Sequence, residues 1–329
     1  MGPALIVHGG AGMIPLERYD AAREGCRAAA EAGWRVLRDG CSALDAVQVA
    51  IAALEDNPGF NAGTGAVLTA DGRAQLDAGI MDGATLAAGA VAGLERIKNP
   101  IVLARAVLAS PHVLLLGEGA ERFAAASNIA LCDPAELVTA SQHARWQRGY
   151  RDGDDVHVGS VAEQALPPLE TKQEGGKRRQ NGHQAAKAVH ADDTKHGTVG
   201  AVALDAYGNM AGGASTGGIA AKHPGRVGDT PIVGCGFYAE NGVGGVSSTG
   251  RGEDFIRLVL ARRAAEYMGR GLPAQAAATA AIRLLSERIG GSGGLIVLDG
   301  DGHVGYARNT PSMAHAYMIE GMSEPFAGV

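Results

Sequence analysis

Aromatic side chains are scarce in this sequence, where Phe, Trp and Tyr together make up 4% of the residues. Glycine is abundant instead, at 50 of 329 positions, about twice the usual share of roughly 7%. No strict Gly-x-y period occurs, which excludes a collagen helix. Because 46% of the residues are hydrophobic and 19% are charged, the composition is globular rather than disordered. Small side chains must therefore build a closely packed core.

Long apolar runs and an excess of positive charge are also missing. No run approaches the roughly 18 residues of a membrane span, and the start MGPALIVHGG lacks the basic region of a signal peptide. The formal net charge of −6 argues against nucleic acid or an anionic membrane as the main partner. We therefore expect a cytoplasmic protein that binds neither.

Signatures of metal and cofactor binding are few. The four cysteines, Cys26, Cys41, Cys132 and Cys235, form no C-x-x-C pair, and no His/Cys cluster has zinc spacing. Neither G-x-x-x-x-G-K-[ST] nor H-E-x-x-H occurs. We expect reduced, buried thiols and no catalytic cofactor.

Hydrophobic periodicity predicts strands in hairpins with helices between them. Strands are predicted at 4–7, 66–69, 74–77, 85–92, 199–204, 210–215, 233–238, 244–248, 295–298 and 303–307. Helices are predicted at 16–38, from an N-cap at Ser42 to Pro58, and at 101–108, 119–127, 135–148, 254–268 and 273–288. Hairpins favour antiparallel sheets, and helix pairs on sheets favour a layered sandwich.

A polar segment at about 159–196 separates the two halves. No Phe, Trp or Tyr occurs from Arg151 to Ala206, and the segment contains the basic cluster Lys177-Arg178-Arg179. This composition predicts a solvated, mobile linker, whose ordinary charge is favoured over a nucleic-acid patch. Strand-like sequence resumes abruptly at Gly197-Thr198.

This junction suggests a nucleophile. If the Gly197–Thr198 bond broke, Thr198 would carry both a hydroxyl and an α-amino group. The pKa of an α-amino group is roughly 7.7–8.0, so the amine can act as general base without a histidine. The ordinary alternative is a threonine that merely opens a strand, which inspection of this residue alone would favour.

Small hydroxyl residues and glycines concentrate after the junction. Between Gly200 and Gly252 lie 15 glycines, together with hydroxyl residues at strand ends, a composition that suits a tight pocket. Arg226 and Asp229 can grip a zwitterion through its carboxylate and its ammonium. The alternative is a surface ion pair of little energetic value, and the pattern alone favours it.

A second candidate nucleophile is Ser292, because Gly290-Gly291-Ser292-Gly293-Gly294 matches G-x-S-x-G. That motif needs a strand before the serine and a helix after it. The predicted order here is the reverse, which favours a helix C-cap and a turn. A serine hydrolase centred on Ser292 stays as an alternative.

Taken in order, these segments resemble the plant-type asparaginase and isoaspartyl peptidase family of N-terminal-nucleophile hydrolases. Each match is short, but the ordered set before and after the linker is specific. The matching segments are His8-Gly9-Gly10-Ala11-Gly12, Asn61-Ala62-Gly63-x-Gly65, Met81-Asp82-Gly83, His196-Gly197-Thr198-Val199-Gly200-Ala201-Val202-Ala203, Ser215-Thr216-Gly217-Gly218, Pro224-Gly225-Arg226-Val227-Gly228-Asp229, Ser248-Thr249-Gly250-x-Gly252-Glu253 and Gly291-Ser292-Gly293-Gly294.

The resemblance implies an α+β fold, a four-layer αββα sandwich of two antiparallel sheets flanked by helices. It implies one domain over 1–329 that cleaves itself into an α chain, 1–197, and a β chain, 198–329. Thr198 would attack the carbonyl of Gly197, and water would cleave the resulting ester. The family also implies a dimer of such cleaved units.

The family's catalytic roles carry over to five positions. Thr198 would be the nucleophile and its amine the base, while Thr216 would orient and polarise it. Thr249 and Gly250 would form the oxyanion hole. Asn61 would help to position the new terminus at Thr198.

For substrate and ion binding, the resemblance implies further residues. Arg226 would bind the substrate α-carboxylate and Asp229 the α-ammonium, in a pocket also lined by Thr249, Gly250 and Gly252. A structural sodium ion would be held by main-chain carbonyls of Leu54, Glu55, Asn57, Phe60, Ala62 and Thr64.

Within the family, the sequence favours hydrolysis of L-asparagine and β-aspartyl dipeptides. Glycosylasparaginases usually read Asp-Thr and Gly-Asp where this chain has Gly197-Thr198 and Gly252-Glu253, and threonine aspartases usually lack the counterpart of Thr216. A glycosylasparaginase-type amidase and a non-catalytic aspartate-binding protein stay as alternatives. Arg251 departs from the pattern; it either favours an acidic leaving group or points to solvent.

Overall fold

A computed structural model describes residues 2–149 and 197–329. The predicted linker at about 159–196, with its basic cluster and His196, lies outside the described residues. Strands in chain order are β1 Ala4–Gly12, β2 Leu76–Asp82, β3 Ala88–Leu94, β4 Leu114–Leu116, β5 Val199–Leu204, β6 Met210–Thr216, β7 Phe237–Glu240, β8 Gly244–Gly250, β9 Gly293–Asp299, β10 Val304–Arg308, β11 Ser312–Ile319 and β12 Phe326–Gly328. Helices are α1 Tyr19–Arg38, α2 Ala43–Asp56, α3 Pro100–Leu108, α4 Gly117–Ala126, α5 Ala140–Gln147, α6 Gly252–Leu258, α7 Leu260–Gly269 and α8 Ala274–Ile289.

The strands form two sheets. The larger has the order β12-β11-β1-β5-β6-β2-β3-β4, and the smaller has the order β10-β9-β8-β7. The pairs are antiparallel except for β3 with β4, which is parallel. That exception follows from α3, because a crossover helix brings the chain back in the same direction.

Helices cover the outer face of each sheet. The helices α1, α2 and α3 pack on the larger sheet, and α7 and α8 pack on the smaller one. The inner faces of the sheets meet through β1, β5 and β6 on one side and β7, β8 and β9 on the other. The predicted four-layer αββα fold is therefore confirmed, with the one parallel pair as a departure.

The layer between the sheets is thin because glycines lie opposite large side chains. Ile6, Val202, Phe237 and Ile296 fill this layer and are fully buried. A methyl group in place of the Gly79 hydrogen would lie 2.5 Å from Cζ of Phe237. Such contacts explain part of the glycine excess as a packing requirement.

Two predicted elements are wrong in detail. The predicted hairpin of 66–69 with 74–77 forms only the isolated bridge Leu68–Ala74. From Leu76 the chain instead enters the larger sheet, where β2 pairs with β3 and β6 and buries both faces. The predicted helix 135–148 is interrupted because the Thr139 side chain accepts a hydrogen bond from the Gln142 amide and starts α5 anew.

The predicted helix 254–268 is also two helices. Val259 separates α6 from α7 and has a left-handed φ of 52°. The Arg262 amide in the first turn of α7 donates to the Gly234 carbonyl over 2.8 Å. The first amides of a helix have no acceptor within it, and here the Gly234 carbonyl of a separate loop supplies one. Among the described residues, no helix combines the length and hydrophobicity that a membrane span needs.

Candidate active site

The site lies where β5 begins. Thr198 directly precedes β5, which runs between β1 and β6 in the larger sheet. Because Val199 pairs with Ser215, Thr198 lies beside Thr216 at the next position. Its side chain is buried, and its Oγ1 lies 3.2 Å from Oγ1 of Thr216. The two hydroxyls therefore share a hydrogen bond shielded from water.

The Thr216 hydroxyl is oriented by the turn that follows it. The Gly218 amide donates to Thr216 Oγ1 over 2.9 Å. Asn61 holds this turn through two hydrogen bonds. Its side-chain Nδ2 donates to the Gly218 carbonyl over 2.6 Å, and its main-chain carbonyl accepts from the Gly217 amide over 3.0 Å. A methyl group on Gly197 would lie 3.1 Å from Cβ of Asn61. Asn61 thus lies against both Gly197 and the Thr216 turn.

The smaller sheet contributes Thr249 at the end of β8. Its Oγ1 accepts hydrogen bonds from the Thr198 amide over 3.4 Å and from the Ala11 amide over 3.2 Å. With two donors already accepted, the Thr249 hydroxyl hydrogen can point at a developing oxyanion. Gly250 is the next residue and is closely packed. A methyl group there would lie 2.6 Å from the Ser292 carbonyl oxygen.

The predicted zwitterion clamp lies next to these hydroxyls in the fold. Asp229 is buried, and its Oδ2 accepts from the Ser248 hydroxyl over 3.3 Å. A methyl group on Gly252 would lie 2.9 Å from Oδ1 of Asp229, so glycine is required there. Arg226 does not pair with Asp229; it makes two hydrogen bonds to Glu253, Nε to Oε1 at 2.9 Å and Nη2 to Oε2 at 2.7 Å.

Electrostatics make Asp229 unusual. Burial raises its pKa to about 7, although its hydrogen bonds and the charge of Arg226 oppose that shift. A carboxyl group with such a pKa changes charge near neutral pH. Perturbed titratable groups of this kind cluster at functional sites.

Residues 1–326 match the model of the family described as asparaginase. The chain belongs to this asparaginase family.

Individual relatives of the asparaginase family match over nearly the whole chain. A plant-type L-asparaginase of Pyrococcus abyssi is 46% identical over 329 residues, which cover 99% of each chain. An isoaspartyl peptidase of Escherichia coli is 41% identical over 339 aligned positions, covering 100% of this chain and 97% of the relative. An isoaspartyl peptidase/L-asparaginase of Danio rerio is 40% identical and covers 91% of this chain and 87% of its own.

The segment around Ser292 joins a helix to a strand. Helix α8 ends at Ile289 and is capped by Gly290, whose φ of 65° is left-handed, and β9 begins at Gly293. The order is helix, serine, strand, as predicted, whereas a nucleophile elbow needs the reverse. The Ser292 carbonyl accepts from the Arg251 amide over 3.4 Å.

In the predicted sodium loop, two of the predicted carbonyl oxygens lie close to glycines. A methyl group on Gly63 would lie 2.5 Å from the Glu55 oxygen, and one on Gly65 would collide with the Phe60 oxygen. The other predicted carbonyls that take part in described hydrogen bonds belong to Leu54, Asn57 and Ala62, each accepting one backbone amide. Neutral oxygen donors around glycine cradles suit a hard cation, so these residues fit the implied ion.

Several neighbours of the site were not predicted. His8 is fully buried, and its Nε2 lies 3.0 Å from the Ser247 hydroxyl, which donates to the Gly213 carbonyl. Glu253 served in the sequence analysis to match a motif and to separate this chain from glycosylasparaginases, but no role in the site was predicted for it. The alternation of β1 places His8 on the inner face, but its partner lies 239 residues away. Sequence inspection has no signal for such a pairing.

Proposed function

We propose that this chain hydrolyses the side-chain amide of L-asparagine and the β-aspartyl bond of isoaspartyl dipeptides, after cleaving itself between Gly197 and Thr198. The observation that carries the proposal is the meeting of Thr198 with Thr216 and Thr249 at a buried point between the sheets. The names of its relatives, plant-type L-asparaginase and isoaspartyl peptidase, supply the substrate class.

The first step is self-cleavage. Thr198 Oγ1 attacks the Gly197 carbonyl carbon, its hydroxyl proton is transferred, and the peptide C–N bond breaks as the nitrogen gains a proton. Thr249 Oγ1 accepts a hydrogen bond from that nitrogen over 3.4 Å, so a hydroxyl lies beside the leaving group. Water then hydrolyses the ester, which leaves a carboxylate on Gly197 and a free amine and hydroxyl on Thr198.

Turnover then uses the freed terminus. The Thr198 amine takes the hydroxyl proton while Oγ1 attacks the side-chain carbonyl of the aspartyl group. The Thr249 hydroxyl and the Gly250 amide stabilise the oxyanion, and each such donor is worth roughly 2.7–4 kcal/mol in other hydrolases. The protonated amine of Thr198 gives its proton to departing ammonia or amine. Water cleaves the acyl-enzyme and releases aspartate.

The predicted zwitterion clamp, Arg226 and Asp229, binds the aspartyl group of the substrate. Arg226 takes the α-carboxylate, and ionised Asp229 takes the α-ammonium. Gly252 leaves room beside Asp229. A glycosylasparaginase-type amidase and a non-catalytic aspartate-binding protein are not favoured by the relatives' names.

Three further features belong to the proposal. The cleaved units form a dimer, for which light scattering after gel filtration should give twice 33.4 kDa. The loop 54–64 holds a structural sodium ion that takes no part in catalysis. The protein acts in the cytoplasm, consistent with the reduced cysteines of the described residues.

Turnover of both substrates tests the main proposal. We expect ammonia from L-asparagine and aspartate from β-aspartyl dipeptides with the wild type, and neither product with Thr198→Ala. Thr198→Ser should keep measurable activity because it retains a hydroxyl. Ser292→Ala is the control and should keep wild-type activity; its inactivity, with Thr198→Ala active, would replace the proposal by a serine hydrolase.

A further inference from the structure

The guanidinium of Arg226 is held along one edge by Glu253. Its Nε and Nη2 donate to the two carboxylate oxygens of Glu253 over 2.9 and 2.7 Å. Two parallel charge-assisted hydrogen bonds fix both the position and the plane of an arginine fork. The Arg226 side chain is 15% exposed and the Glu253 side chain 44%, so the arginine is the more buried partner of the pair.

The other edge of the guanidinium has no acceptor among the residues that the structure describes. Nη1 makes no hydrogen bond to any described residue, and Nη2 uses only one of its two hydrogens. A methyl group on Gly228 would lie 2.9 Å from Nη1, so the guanidinium rests closely on the backbone of this glycine. The Nη1–Nη2 edge can accept a second carboxylate end-on, since the fork presents two parallel donors there.

Glu253 is anchored where it stands. It follows Gly252 in the first turn of α6, and Gly252 packs closely against Gly228 and Asp229. Moving Glu253 away would therefore disturb the clamp itself. Burial pushes the pKa of Glu253 upward, but the hydrogen bonds and charge of Arg226, with a contribution from Arg251, outweigh it and lower the pKa. The group is thus a stable anion at neutral pH.

We propose that Glu253 is a positioning residue that holds Arg226 side-on, so that its end-on edge meets the substrate α-carboxylate. This inference rests on the proposed role of Arg226. A competing arrangement would have Glu253 occupy the substrate's place and be displaced on binding. The two arrangements predict opposite changes in affinity when Glu253 loses its charge.

The decisive comparison uses Glu253→Gln with two substrates. L-Asparagine has an α-carboxylate, and β-alaninamide keeps the amine and the amide but lacks it. For Glu253→Gln we expect KM for asparagine to rise about tenfold, ~1.4 kcal/mol, with kcat changed less than about twofold. The kcat/KM for β-alaninamide should not change. Glu253→Ala should show the same selectivity with a larger rise.

A matched control is Glu287→Gln, which removes the exposed pair of Arg283 with Glu287 on α8 and should change neither substrate. A fall in KM for asparagine would overturn the proposal in favour of competition. Equal losses on both substrates would also overturn it, because they would indicate a general structural role.

Calorimetry separates this inference from the proposed function. Binding of L-aspartate should weaken about tenfold in Glu253→Gln, while binding of β-alanine, which lacks the α-carboxylate, should stay the same. Should the wild type fail to release ammonia from asparagine, the proposed function fails, yet this binding comparison still decides the role of Glu253. Unchanged aspartate affinity would overturn it.

Discussion

At the residue scale, the chemistry depends on groups that approach from both sheets. Thr216 belongs to the larger sheet, in which Thr198 directly precedes β5, and Thr249 belongs to the smaller one. The motif order predicted these residues as a set, and the fold brings them within hydrogen-bond distance. The pairs His8–Ser247 and Arg226–Glu253 could not be predicted in this way, because packing between separate segments of the chain decides them.

Two groups, Asp229 and the Thr198 amine, should make the rate of the reaction depend on pH. Its pKa of about 7 means that the carboxylate needed for the substrate ammonium disappears as pH falls through 7. The Thr198 amine, with a pKa of roughly 7.7–8.0, loses its neutral form over a similar range. The logarithm of kcat/KM for asparagine should therefore fall below pH 6 with a slope of about two.

Succinamate separates the two groups, because it is asparagine without the α-amino group. Its kcat/KM should fall with a slope of about one, from the Thr198 amine alone. Equal slopes for the two substrates would show that Asp229 does not titrate with substrate binding.

At the element scale, strong periodicity was enough where strands and helices are regular. The β5–β6 hairpin, the N-cap at Ser42 and the C-cap at Gly290 are confirmed. The predicted helix boundaries are wrong where a contact with a separate segment ends a helix, as at Val259 between α6 and α7. It also missed β11, whose burial on both faces between β1 and β12 gives no period-two pattern.

Gly200 in β5 tests the close packing behind the nucleophile. A methyl group there would lie 2.6 Å from Nε2 of His8 and still closer to the Ser247 hydroxyl. We expect Gly200→Ala to lower stability by about 1–3 kcal/mol, since overpacking forces neighbours to move. Thermal melting monitored by circular dichroism measures the effect.

The matched control is Gly119→Ala in α4, where a methyl group meets nothing within 4 Å. Alanine is favoured over glycine in a helix, so this variant should be more stable by up to ~1 kcal/mol. Equal melting temperatures for Gly200→Ala and the wild type would contradict the packing described here.

At the scale of the whole molecule, the two proposed chains are interleaved. Strand β1 of the α chain lies between β5 and β11 of the β chain, and β2 pairs with β6 across the same boundary. The proposed cleavage at Gly197–Thr198 would therefore break no sheet. We expect the fold to survive it, because hydrogen bonds within the larger sheet would still join the two chains.

The α and β chains should accordingly stay together in native buffer and separate only in denaturant. Gel filtration followed by denaturing electrophoresis of each fraction measures this. Elution of the two chains in different native fractions would contradict the sheet order.

Whether Thr198 becomes an amino terminus can be read from the intact mass of the purified protein. We expect two polypeptides, 1–197 and 198–329, whose masses together exceed that of the uncleaved chain by one water. Thr198→Ala should give a single full-length mass. A wild type that stays whole yet hydrolyses asparagine would show that Thr198 does not act as an N-terminal nucleophile.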